Sequence, residues 1–172
     1  MRSDHLLASD DALIAQCEVD RYRASGPGGQ HRNKTESAVR LRHRLTGVSA
    51  IGEDSRSQAE NKMHAVRRLR SAIALEVREP IVLENFRPSA RLAAFVAKGT
   101  APLGAKTRVT GEYWAAMAEL LDLLVAGEVE IATTAQRLGI STGALSKLLL
   151  HDDHVGRTVN DLRRAKNLRA LR

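Results

Sequence analysis

At 172 residues, with 43% apolar side chains, the chain can hold one domain or two small ones and is too apolar to be disordered. A net charge of +7 and a pI near 10.2 point to a polyanionic partner. Two Phe, two Tyr and one Trp are too few for a module that stacks bases on exposed rings. Cys17 stands alone, which excludes a disulfide framework and a cysteine zinc site; no metal and no cofactor is expected. No apolar run reaches the roughly 18 residues that span a bilayer, and the acidic, polar N-terminus is no signal sequence. The expectation is a soluble, monomeric protein of a reducing cytoplasm, with Cys17 as a small buried hydrophobe.

Ser9-Asp10-Asp11 reads as a helix start, with a capping hydroxyl and two carboxylates at the positive end of the dipole, and the helix runs to about Gln16. Residues 17–23 alternate as a strand. Gly26-Pro27-Gly28-Gly29-Gln30 follows, which forms neither helix nor central strand and makes a loop with a nearly bare backbone. Its one side chain capable of chemistry is the Gln30 amide. Residues 21–44 carry seven Lys/Arg against one Glu, so the loop sits in a basic collar. In residues 37–44, Val39, Leu41 and His43 point one way and Arg40, Arg42 and Arg44 the other. Thr46-Gly47 is a turn, and residues 48–51 are the return strand.

Ser55-Arg-Ser-Gln58 reads as a capping box opening a long helix to about Glu79, stopped by Pro80. Its apolar stripe is Ala59, Met63, Val66, Leu69, Ile73 and Val77, with Arg67, Arg68 and Arg70 on or beside the opposite face. Ser89 caps a short helix ended at Gly99. Thr110 starts another, with Trp114, Met117, Leu121, Leu124 and Val125 on its apolar face, ended by Gly127. Residues 131–138, a turn at Gly139, and residues 142–150 make a tight pair with helix-turn-helix spacing. A last helix, about 155–171, carries Arg157, Arg163, Arg164, Lys166, Arg169 and Arg172 against Asp161. The expected fold is α+β: a small twisted, mostly antiparallel sheet of three or four strands with one long helix packed on it over residues 1–80. A linker with a short helix (81–108) and an all-helical domain (109–172) follow.

Arg23-Ala-Ser-Gly-Pro-Gly-Gly-Gln-His31, Asn33-Lys-Thr-Glu-Ser-Ala-Val-Arg40, Thr46-Gly47 and Arg56-Ser-Gln-x-x-Asn-Lys62 fall in order over about sixty residues. Together they resemble the catalytic domain of class I peptide chain release factors. The resemblance implies hydrolysis of the peptidyl-tRNA ester in the large-subunit peptidyl transferase centre. Gly28, Gly29 and Gln30 would be its essential tripeptide, and Gln30 a candidate for amide methylation by a methyltransferase. The ribosome, through large-subunit rRNA and P-site tRNA, is the implied partner. Ester hydrolysis needs an oriented water and a donor for the oxyanion. A glutamine amide holds water and is no general base at neutral pH, so ribosomal RNA and the tRNA's own hydroxyl are expected to supply most of the rest. His31 reads as a loop-shaping or RNA-contacting residue rather than a base.

The candidate RNA contacts are Arg21, Arg23, His31, Arg32, Lys34, Arg40, Arg42, Arg44, Arg163, Arg164 and Lys166. Arg32 stands where the family usually has an apolar residue, which points it at phosphate. Stop-codon readers carry long segments ahead of this domain, whereas about sixteen residues precede the first expected strand here. The expectation is a codon-independent factor that rescues stalled ribosomes. The alternative is a non-catalytic regulator or RNA-repair accessory that binds RNA or DNA through residues 131–150, although Lys147 is the only strong cation in the second helix of that pair, residues 142–150.

Overall fold

The computed structural model describes residues 1–23, 36–99 and 110–172, and divides the chain into two units, Met1–Val77 and Arg78–Arg172. The described residues form one three-stranded antiparallel sheet and eight α-helices.

In the first unit, helices α1 (Arg2–Leu7) and α2 (Asp10–Ala15) precede strands β1 (Cys17–Tyr22), β2 (Ala38–His43) and β3 (Ser49–Gly52) and the long helix α3 (Gln58–Glu76). Ser9 caps α2 as its sequence predicts, its hydroxyl accepting the Ala12 N–H at 3.2 Å. The strands lie in the order β1-β2-β3 and are joined in register from Cys17↔His43 to Tyr22↔Ala38 and from Arg42↔Ser49 to Val39↔Gly52. The alternation in β2 is as expected: Val39, Leu41 and His43 are buried, and Arg40 and Arg42 are exposed. Helix α3 covers β2 and β3, burying Ala65, Val66, Leu69 and Ile73. Val66, Leu69 and Ile73 each contribute roughly 1.5–3 kcal/mol through burial, and Ala65 less. At Gly52 the sheet and helix come so close that an added Cβ would lie 1.9 Å from the Asn61 carbonyl oxygen.

Three expectations need correction, and one helix was not expected at all. The helix α1 has no long apolar period to announce it; it is tied down from afar, with Arg2 donating to the Val77 carbonyl at 2.7 Å. The cap of α3 is Ser57, whose hydroxyl accepts the Glu60 N–H, while the Ser55 hydroxyl bonds the Glu60 carboxylate and accepts the Ser57 N–H. The apolar stripe starts later than expected, since Ala59 and Met63 are exposed and Asn61 takes the buried position. Arg70, expected on the outer side, is buried; its guanidinium binds the Leu6 and Ala8 carbonyls and the Asp10 carboxylate. It fastens α1 and α2 to α3.

The second unit has a 3-10 turn (Leu83–Asn85), α4 (Ala90–Lys98), α5 (Gly111–Ala126), α6 (Ile131–Leu138), α7 (Thr142–Leu150) and α8 (Asp153–Ala165). Ser89, Thr110 and Ser141 cap α4, α5 and α7 through their hydroxyls. Helix α5 is buried around most of its circumference, not along one face, because α4 and α6 both pack on it. Its one buried carboxylate, Asp122, accepts from Arg78 at 3.1 Å and from the Glu79 N–H at 3.2 Å. The expected pair of residues 131–138 and 142–150 is present, joined through Gly139 at φ 67°. There the Ile140 N–H reaches the Ala135 carbonyl and the Gly139 N–H the Gln136 carbonyl, a closure that a left-handed residue makes possible. The last helix ends at Ala165, short of the expected 171. Asn167 turns left-handed at φ 58°, and the same pair of bonds closes α8, from Leu168 to Arg163 and from Asn167 to Arg164.

Candidate functional site

Gly28, Gly29, Gln30, His31, Arg32 and Lys34 lie outside the described residues. What the structure describes is the platform on either side of them. The ladder between β1 and β2 runs to Tyr22↔Ala38, so both ends of the intervening segment start from neighbouring strands. One step beyond the ladder, Arg23 Nε lies 3.6 Å from the Glu36 carboxylate. Both side chains are more than half exposed, so this pair adds little stability.

The downstream foot is held more firmly, by the start of α3. Gln58 Nε2 donates to the Glu36 carbonyl at 2.9 Å. Asn61 is fully buried; its Nδ2 donates to the carbonyls of Ser37 (2.7 Å) and Ser55 (2.8 Å), and its Oδ1 accepts the Ser55 N–H at 2.8 Å. Three of the four bonds an asparagine amide can make are thus spent on backbone from two irregular segments. Both residues belong to the motif of residues 56–62, but nothing in their spacing announces this task. The available signal was an asparagine in the second turn of a helix, a residue that otherwise favours caps and turns.

The described arginines of the collar do not form one patch. Arg40 and Arg42 share the sheet face away from α3, opposite Asp20 and Glu18. With Ser49 these four line a shallow polar cavity. Arg40 is bound to the Asp20 carboxylate, and its guanidinium lies 5.9 Å from the Tyr22 ring centroid. Tyr22 in turn donates to the Glu53 carboxylate at 3.3 Å, and burial, then Glu53, pushes its phenol pKa up. This face is therefore of mixed sign. Arg21 pairs with Val39, so it belongs to the α3-facing side, exposed because β1 is an edge strand. Arg44 donates to the Ala15 carbonyl at 3.3 Å and the Cys17 carbonyl at 2.9 Å, closing the junction of α2 and β1.

In the second unit Arg163 is buried, not displayed. It bridges the Val129 carbonyl at 2.7 Å and the Arg169 carbonyl at 2.6 Å, and so holds a turn in which Val129 itself has φ 60°. Arg164 is paired with Asp161 at 3.0 Å, and Lys166 with Glu128, whose carboxyl it holds below the usual carboxylate range.

Beside the sheet, His43 is fully buried. Its Nδ1 accepts the Thr46 N–H at 3.3 Å, and Nε2 lies 3.1 Å from Gln16 Oε1, which the His5 ring also meets at 2.6 Å. Burial, then the neighbouring His5, lowers the His43 pKa and so favours the neutral ring. Asp54 is held low by hydrogen bonding to Arg68, opposed in part by its desolvation and assisted by the Arg68 and His64 charges. Among the described residues no group of three or more His, Cys, Asp or Glu is placed to hold a metal. No helix among them is long and apolar enough to cross a membrane.

Residues 13–93 match the RF-1 domain family. Peptide chain release factor 2 of Buchnera aphidicola is 52% identical over 69 residues, covering 37% of this chain and 19% of the relative. Peptide chain release factor 1 of Albidiferax ferrireducens is 52% identical over 74 residues (40% and 20%), and that of Acetivibrio thermocellus 51% over 61 residues (36% and 17%). The chain spans about a fifth of the length of the curated relatives it matches.

Proposed function

We propose, from the class I release-factor domain carried by residues 13–93, that this protein hydrolyses the peptidyl-tRNA ester on the ribosome and frees the nascent chain without reading a stop codon. The single observation behind this is the domain match together with the intact Gly28-Gly29-Gln30 between two paired strands. In this reading Gln30 delivers its carboxamide to the reacting ester and fixes the attacking water. A backbone N–H of the glycine segment meets the developing oxyanion, and the ribosome excludes bulk water. Gly28 and Gly29 serve because a Cβ would remove conformational freedom and clearance. Arg42, which has no carboxylate or carbonyl partner among the described residues, and Arg21 are the collar arginines best placed for RNA phosphate. Arg40, Arg44 and Arg163 are already engaged within the protein.

The alternative, a nucleic-acid regulator working through residues 131–150, draws support from the left-handed Gly139 turn. The exposed part of α7 offers Thr142, Gly143, Ala144 and Lys147, a weak electrostatic footprint for DNA. A release assay decides between the readings. Purified ribosomal complexes carrying labelled peptidyl-tRNA, stalled on truncated messenger or at a stop codon, are mixed with protein. Release from both, lost at least 100-fold in Gln30→Ala, is the expected result. Release by Gln30→Ala at the wild-type rate would refute the enzymatic reading, and release only at a stop codon would refute codon independence.

A further inference from the structure

Among the described residues Glu36 is the first after the segment that holds Gln30, and a side chain of α3, Gln58, donates to its carbonyl at 2.9 Å. We infer that Gln58 is a positioning residue for the release reaction, setting where the Gln30 segment leaves the domain. The inference rests on the proposed function.

The division of labour at this foot carries the argument. Asn61 is buried and ties together Ser37 and Ser55, so it serves the fold as a whole. Gln58 is exposed, makes one bond, and makes it to Glu36, one residue closer to the loop. A fold-bearing role does not account for it: the first helical turn is already capped by Ser57, and the Gln58 side chain covers no core. Without it, the Glu36 carbonyl loses its bond to α3; among the described contacts there remain the exposed pair of the Glu36 carboxylate with Arg23 at 3.6 Å and, one residue on, the Asn61 bond to the Ser37 carbonyl. Reaction rates fall steeply when a reacting group is misplaced by about 1 Å, up to about 100-fold. A single bond at the foot of the arm can therefore matter to chemistry without mattering to stability.

Gln58→Glu keeps the shape and removes the donor. Glutamate at the first helical position suits the positive end of the helix, so the fold is expected to hold. The experiment measures single-turnover release against ribosome concentration for wild type, Gln58→Glu, Gln58→Ala and Gln30→Ala, with melting temperatures alongside. Expected are a kcat lowered about 10- to 100-fold in both Gln58 variants, an unchanged KM for the ribosomal complex and an unchanged melting temperature. A wild-type kcat in Gln58→Glu overturns the inference. So does a loss that appears in KM, which would make Gln58 an RNA contact, or in melting temperature, which would make it structural. If wild type itself releases nothing, the proposed function falls and takes this inference with it. If wild type releases and Gln58→Glu matches it, only this inference falls.

Discussion

In residues 1–77 buried Arg2, Arg70, Asn61 and His43 bind irregular segments: the Val77 carbonyl, the α1–α2 corner, the lead into β2 and the stretch between β3 and α3, and the Thr46 turn. In residues 78–172 the central helix α5 is filled instead by Met117, Leu120, Leu121, Leu123 and Leu124, all fully buried, and polar groups gather at helix ends. The sheet unit is thin, with one helix over three strands, and short of apolar volume to fix its connecting segments. Directional bonds do that work and place the segment ends to within hydrogen-bonding tolerance. In the helical unit apolar volume fills the central helix, and directional bonds from Arg163 and Asp122 are left to hold the Val129 turn and the Glu79 backbone.

This contrast can be broken most severely at Gly52. Gly52→Ala puts a methyl group into the Asn61 backbone, and α3 must lift from the sheet. The expected loss is about 4 kcal/mol or more. Residues 1–77 should lose their amide dispersion while residues 111–165 keep theirs, which a two-dimensional NMR spectrum reads directly.

Leu121→Ala is the counterpart in the other unit. It removes apolar volume from the middle of α5 and should cost about 2–5 kcal/mol, measured by urea denaturation, with the amides of residues 1–77 undisturbed. Equal damage to both units would show that their stabilities are not separate.

A third way to sharpen the contrast is acid. Because the His43 pKa is lowered on folding, the unfolded chain binds the proton more readily. The stability tied to the neutral ring is fully present above about pH 6.5 and declines below it, by at most about 1.4 kcal/mol per pH unit, until the folded-state pKa is passed. Denaturation midpoints at pH 7.5 and 5.5 should separate in the wild type, and separate less in His43→Gln. The smallest effect is expected at Ser141→Ala. Loss of its bond to the Ala144 N–H should cost about 1 kcal/mol, seen as a lower thermal midpoint of the helical unit.

What could be read from residue order was whatever is settled locally. The alternation of Val39, Leu41 and His43 against Arg40 and Arg42 needs only a strand and a face. Ser9, Ser89 and Thr110 announce caps three residues ahead of the N–H they bind. Gly139 marks a turn that only a left-handed residue makes easily. The misses at Arg70, Arg163 and Asn61 share one cause, which is reach along the chain. Arg70 looks exposed by its charge, yet its partners lie sixty or more residues earlier. Arg163 looks like part of a basic face, but its acceptor is the carbonyl of Val129. Asn61 looks like a poor helix former, and only the fold brings Ser37 to it. At the candidate site, the tripeptide was legible as chemistry, while Gln58 and Asn61 were legible only as members of a motif and, for Gln58, as half of a capping box.

Cys17 gives the molecule a built-in reporter. It is the chain's single cysteine, 3% exposed, its thiol turned to the Leu13 carbonyl at 3.2 Å and its pKa raised by burial. An alkylating reagent at neutral pH should therefore find nothing to modify until the first unit opens. The labelling rate then clocks that opening, with no probe to engineer and no signal from the helical half.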